Sequence, residues 1–134
     1  MKKILFVCVH NSGRSQMAEA FMRKLAGDST IVFSAGTQPS ESINSTVMQV
    51  MRETGIDISN RIPKLINIQV LKSMDRVITM GCGAEQACPA GIVPMEDWGL
   101  ENPEGQPVEK VRHIRDQIRE KVEKLIEEMK KEEN

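Results

Sequence analysis

The sequence predicts an α/β fold, a single domain over residues 1–134 with a four-stranded parallel sheet flanked by helices on both faces. Three observations predict it. Short apolar runs rich in Val and Ile alternate with stretches whose apolar residues recur at helical spacing. The first run is continuously apolar, as a strand covered on both faces requires. The chain closes on a long amphipathic stretch suited to covering one face of a sheet.

Lys3 to Cys8 is the first strand, followed by a polar, Gly-containing turn from Asn11 to Arg14. A helix is expected from Ser15 to Ala26, with Met17, Phe21 and Leu25 at four-residue spacing and Gly27 as its stop. Ile31 to Phe33 reads as the second strand, ending in a Ser34-Ala35-Gly36 turn. Ile43, Val47, Val50, Met51 and Thr54 form a second helical stripe closed by Gly55, and a short helix is expected from Asn67 to Lys72. Arg76 to Met80 is the third strand and Ile92 to Met95 the fourth. Val108, Val111, Ile114, Ile118, Val122, Leu125 and Met129 mark a last helix over Pro107 to Lys130.

Composition narrows the function. The chain is 40% apolar and 28% charged, which excludes disorder. With 18 Lys+Arg against 19 Asp+Glu, it lacks the basic excess of a nucleic-acid binder. The apolar run after Met1-Lys2-Lys3 is too short for a signal peptide, and no stretch approaches the ~20 apolar residues of a membrane span. Three Cys, an odd number, do not make a closed disulfide framework. A cytoplasmic chain with reduced thiols is expected, so the cysteines read as reactive or metal-binding.

Cys8 ends the first strand, and five residues separate it from Arg14. A loop of that size can wrap its backbone N–H groups, Val9, His10, Asn11, Ser12, Gly13, Arg14 and Ser15 included, round one tetrahedral oxyanion. The following helix start adds partial positive charge, and Arg14 adds a bidentate clamp. Cys8 stands at the centre of this nest, where a thiolate is favoured and can attack phosphorus or arsenic. Ser15 can donate to that sulfur and also suits an N-cap. The competing reading is an inert buried Cys at a strand end. No Gly-Lys-[Ser/Thr] is present, so this is not a Walker loop.

Cys8 to Ala20, CVHNSGRSQMAEA, resembles the phosphate loop of the low-molecular-weight protein tyrosine phosphatase family, and its continuation resembles the thioredoxin-coupled arsenate reductase branch. Ser34-Ala35-Gly36, Gly55 to Ser59, Cys82, Cys88-Pro89 and Asp97-Trp98-Gly99 follow in the same order. The resemblance implies a low-molecular-weight phosphatase-like fold and reduction of arsenate to arsenite, as in arsenic detoxification. It implies Cys8 as nucleophile, Cys82 as the first resolving thiol and Cys88 as the last, with thioredoxin as reductant; no bound cofactor or metal is expected. The Gly- and Ala-rich segment Gly81 to Gly91 has the composition to move and carry the final disulfide outward.

The chain departs from the family pattern in three places. Asn102-Pro103 stands where the family has Asp-Pro, and an amide has no proton to give. Glu101 is the expected replacement acid, with Asn102 holding the position by hydrogen bonding. Five residues separate Cys82 from Cys88, one fewer than in the family, a change of ~100° on a helix. Some members hold potassium on residues matching Asn11, Glu19 and Ser34; here the remaining ligand position falls near Lys64, whose ammonium is expected to pair with Glu19 and replace the ion. Asn11 is expected to shape the loop backbone, His10 to pack or hydrogen-bond, and Asp97 and Trp98 to anchor the loop after the fourth strand.

Two other functions compete. A phosphatase would use Cys8 and Arg14, but the chain has no Tyr, and Asn102 to Gly105 offers no ring to stack a phosphotyrosine. A non-catalytic oxyanion or As(III) binder is the other, since three thiols would suit arsenite capture; a zinc site using Cys8, Cys82 and Cys88 with His10 or His113 lacks paired C-x₂-C spacing. Arsenate and thioredoxin are the expected partners, and a monomer is expected.

Overall fold

The computed structural model describes residues 2–81 and 93–133. Its elements are β1 (Lys2–Cys8), α1 (Arg14–Ala26), β2 (Thr30–Gly36), α2 (Ser45–Arg52), α3 (Ile68–Lys72), β3 (Arg76–Thr79), β4 (Glu96–Asp97) and α4 (Val108–Glu133). A short 3₁₀ turn, Gly27–Ser29, joins α1 to β2. The four strands form one sheet in the order β2-β1-β3-β4, with every neighbouring pair parallel.

β1 is central and buried on both faces, which its unbroken apolar run anticipates. Its residues alternate between two cores. Ile4, Phe6 and Cys8 join the larger cluster with residues of α1, α2 and α4, whereas Leu5 and Val7 join the smaller one with Leu71 of α3. Helices therefore cover both faces. The α4 stripe is buried as its spacing requires, from Val111 and Ile114 through Ile118, Val122 and Leu125 to Met129. Three charged groups tie α2 to α4: Glu53, just past α2, receives Arg112 at 2.8 Å and Arg115 at 2.7 Å. Hydrogen bonding from Arg112 leads the effects that pull the Glu53 carboxyl down to about 2, so this clasp stays ionised through mildly acidic pH.

Five expectations shift. β2 runs on through Ser34, Ala35 and Gly36, because the parallel ladder with β1 continues to the pair Cys8–Gly36. β3 stops at Thr79, one residue short of Met80. The fourth strand is Glu96–Asp97 and not the apolar run before it: Val93 and Met95 pack on the smaller core, while pairing starts where Asp97 accepts the Thr79 hydroxyl at 2.7 Å and the Gly81 N–H at 2.8 Å. Ile92 lies outside the described residues. Leu25 is 37% exposed. Steps of four residues drift about 40° each around a helix, so two of them carry Leu25 off the buried face and Met22 takes its place. Asn44 rather than Ile43 opens the second helix; its Oδ1 accepts from the N–H groups of Thr46 and Val47.

Candidate active site

The loop between β1 and α1 lies at the C-terminal end of the central strand, where parallel α/β sheets place their ligand sites. Its carbonyls are occupied on one side. Those of Cys8, Val9, His10 and Ser12 accept from the N–H groups of Thr37, Gln38, Ser40 and Asn44. The loop thus rests on the connection that follows β2, and Gly36 is the point of closest approach. A Cβ there would meet Val9 O at 2.5 Å and Asn11 N at 2.9 Å. Asn11 takes φ 49°, the left-handed conformation its side-chain type tolerates best after glycine.

A run of hydrogen bonds fixes the polarity around Cys8. The backbone N–H of Lys64 can only donate, and it donates to Asn11 Oδ1 at 2.9 Å. The other end of that amide, Nδ2, therefore donates to Ser15 Oγ at 2.7 Å. With its acceptor side so engaged, the Ser15 hydroxyl turns its hydrogen to Cys8 Sγ, 2.8 Å away. The Asn11 N–H reaches the same sulfur at 3.1 Å. Cys8 is buried and its sulfur faces two donors. Gln16 supports the amide by donating to Asn11 Oδ1 at 3.0 Å and to Asn11 O at 3.1 Å. Ser15 does not cap α1; the cap position is Gly13, with no side-chain bond, and the Ser15 hydroxyl goes to the sulfur instead.

Arg14 is buried, and its Nη1 donates to the carbonyls of Met80 and Leu100, each at 2.9 Å. These bonds hold the guanidinium beside the end of β3. Gly81 fits there only as glycine: it has φ +100°, and a Cβ would lie 2.4 Å from Leu100 O. Cys8, His10, Ser12, Gly13, Arg14, Asn44, Asn102, Pro103 and Glu104 line one small cleft. Cys8, Arg14 and Ser15 thus come together as the sequence suggests. Cys82 and Cys88 lie outside the described residues. Glu101 does not line the cleft; its carboxylate is exposed and pairs with Lys110 at 2.9 Å. Glu104, three residues on, faces the cleft instead, beside His10. The reason is local: Asn102 Oδ1 accepts the Glu104 N–H at 3.1 Å, a tight turn that brings residue 104 round to the loop. Asp97 and Trp98 anchor as expected, the Trp98 ring resting on Phe6 at 5.6 Å between centroids.

The expected partner of Glu19 is corrected. Lys64 turns away, with Nζ on Ile62 O at 3.3 Å. Arg61 bonds Glu19 directly, Arg23 joins at 2.8 Å, and the Ser34 hydroxyl donates to the other carboxylate oxygen at 2.5 Å. Asn11 Oδ1 is taken by the Lys64 N–H and by Gln16. The donor set that could hold potassium is thus already filled by protein donors, and a guanidinium supplies the positive charge. Turnover is therefore expected to stay the same when potassium replaces sodium at constant ionic strength; strong selective activation by potassium would contradict the arrangement. Among the described residues no group of three His, Cys, Asp or Glu is placed to hold a metal ion.

A buried cysteine that ends the central strand of a parallel sheet and a buried arginine that starts the next helix, with one loop between them, define a phosphate-loop protein with a cysteine as its candidate nucleophile. The match to the low molecular weight phosphotyrosine protein phosphatase family runs over residues 3–134, and the chain belongs to that family. A putative arsenate reductase from Halobacterium salinarum is 41% identical over 131 residues, covering 94% of this chain and 92% of its own. Arsenate reductase 2 from Staphylococcus epidermidis is 38% identical, covering 91% and 94%. Among solved structures, an arsenate reductase in its phosphate-binding state superposes with a TM-score of 0.83 at 38% identity, covering 96% of this chain and 98% of that one. A thioredoxin-dependent arsenate reductase from Corynebacterium glutamicum gives 0.81 at 37% identity, covering 97% and 62%. An arginine phosphatase from Geobacillus stearothermophilus, at 24% identity and 0.86, shares the fold.

Proposed function

We propose that the protein is an arsenate reductase regenerated by thioredoxin. The observation that carries this reading is the buried Cys8 sulfur, facing two donors in the cleft that Arg14 also lines, in a chain similar to arsenate reductases. Cys8 attacks arsenate, with Arg14 and the backbone of Val9 to Ser15 holding the oxyanion and Ser15 steadying the thiolate. Cys82 then attacks Cys8 Sγ. The S–S bond forms as the S–As bond breaks, and its electron pair leaves with arsenic as arsenite. Cys88 attacks Cys82, frees Cys8 and leaves a Cys82–Cys88 disulfide, which the thioredoxin dithiol reduces. No helix among the described residues is long and apolar enough to cross a membrane. On this reading the protein is a cytoplasmic monomer that draws its electrons from a diffusing partner.

The relay has its own test. Arsenate-dependent NADPH oxidation in the presence of thioredoxin and its reductase is expected to fall to background for Cys82→Ser and for Cys88→Ser. One arsenite per enzyme should still form with Cys88→Ser, because the first disulfide needs only Cys8 and Cys82. Full turnover by either variant refutes the three-cysteine relay. Hydrolysis of a phosphate ester that needs only Cys8 would place the protein with the phosphatases, and stoichiometric arsenite capture without turnover would make it a binder.

A further inference from the structure

Attack on arsenic by a thiolate needs a proton for the departing oxygen, and the cleft offers few sources. Arg14 stays protonated, the amides of Asn44 and Asn102 have no acidic proton, and Glu101 is turned away to Lys110. Among the described residues on the lining, His10 and Glu104 are the titratable groups left besides Cys8. Their geometry separates their roles. His10 Nδ1 lies 3.1 Å from the carbonyl oxygen of Gln38, which can only accept, so Nδ1 carries a hydrogen. The other nitrogen, Nε2, lies 3.9 Å from Glu104 Oε2. An imidazole fixed in this way gains or loses its mobile proton at Nε2 alone, on the side facing Glu104.

We propose that His10, held by the Gln38 carbonyl and charge-balanced by Glu104, is the proton donor for the first chemical step, an inference that rests on the arsenate reductase reading above. In that step Cys8 Sγ attacks arsenic, and the S–As bond forms as one As–O bond breaks. The departing oxygen, already carrying one hydrogen, takes the Nε2 proton and leaves as water. Arsenic stays pentavalent, the imidazolium becomes neutral imidazole, and solvent at the half-exposed ring restores the proton. Glu104 is the positioning residue that holds the cation at the mouth. Among the described residues, the titratable and charged groups near His10 are Cys8 and Arg14 on the same cleft and Glu104 before α4, with Glu41 in the adjoining groove.

The test compares wild type, His10→Gln, His10→Ala and Glu104→Gln in the thioredoxin-coupled assay, with phosphate as an unreactive competitor. For His10→Gln, kcat/KM for arsenate is expected to fall about 10²-fold or more, the typical weight of a general acid. The inhibition constant for phosphate should stay within about threefold, because the clamp residues are untouched. The alkaline fall in kcat/KM should disappear with the imidazole, and added imidazole should restore His10→Ala. Glu104→Gln should lose less than His10→Gln. Wild type active with His10→Gln within threefold of it, or a loss that imidazole does not rescue, overturns the proton-donor role and leaves the arsenate reading standing. A wild type that reduces no arsenate overturns that reading and this role with it.

Discussion

Cys8→Ser is expected to abolish arsenate reduction, a loss on the order of 10⁴-fold or more, as when other enzymes lose their nucleophile. The exchange changes one atom at the foot of the cleft. A serine hydroxyl can still accept from the Asn11 N–H and from Ser15, now at 3.1 and 2.8 Å from the sulfur, so the loop should keep its shape. What goes is the nucleophilic sulfur. A hydroxyl between the same two donors stays protonated at neutral pH, and oxygen cannot enter the disulfide relay proposed above. The variant should melt at the wild-type temperature, keep phosphate affinity and give no arsenite even in a single turnover. Residual arsenite above a few per cent of the wild-type yield would show that another thiol can start the reaction.

The largest stability effect is expected at Glu19. This carboxylate is 1% exposed and serves Arg61, Arg23 and the Ser34 hydroxyl. Glu19→Ala removes the partner that all three share and takes away the acceptor of a buried hydroxyl. Breaking a buried pair costs roughly 3–5 kcal/mol, and the low end applies because Arg23 and Arg61 keep contact with water. A loss of about 3 kcal/mol corresponds to a fall of roughly 10 °C in Tm for a domain of this length. Glu19→Gln, which can still accept from Ser34, should fall between the two. Lys64→Ala should change little, since Lys64 orders the site through its backbone N–H and not its ammonium. A melt of Glu19→Ala within ~2 °C of wild type would show that the arginines find other partners.

These two sites mark how far the sequence could be read. The β1–loop–α1 unit was legible because its signals are local: a continuous apolar run, a turn and a helical period within about two dozen residues. α4 was legible for the same reason. The partners of Glu19 were not. Lys64 and Arg61 sit three residues apart in a stretch without periodicity, and only the folded path decides which head group reaches α1. The turn at Asn102 likewise decides between Glu101 and Glu104, and neither residue's type announces it. The misplaced fourth strand has a related cause. Apolar side chains at Val93 and Met95 mark burial, but the ladder starts where Asp97 can satisfy Thr79 and Gly81, a contact made across the sheet.

The paired carbonyl bonds of Arg14 carry a consequence of a different kind. One guanidinium nitrogen spans Met80 O and Leu100 O, so the residue proposed to clamp the oxyanion also pins two distant stretches of backbone. Thermodynamic linkage then runs both ways. If pinning those carbonyls tightens the grip on an oxyanion by some factor, an oxyanion in the loop stiffens those stretches by the same factor. Occupancy at the loop and order at the rim become one equilibrium, in which cargo and clasp each set the terms for the other.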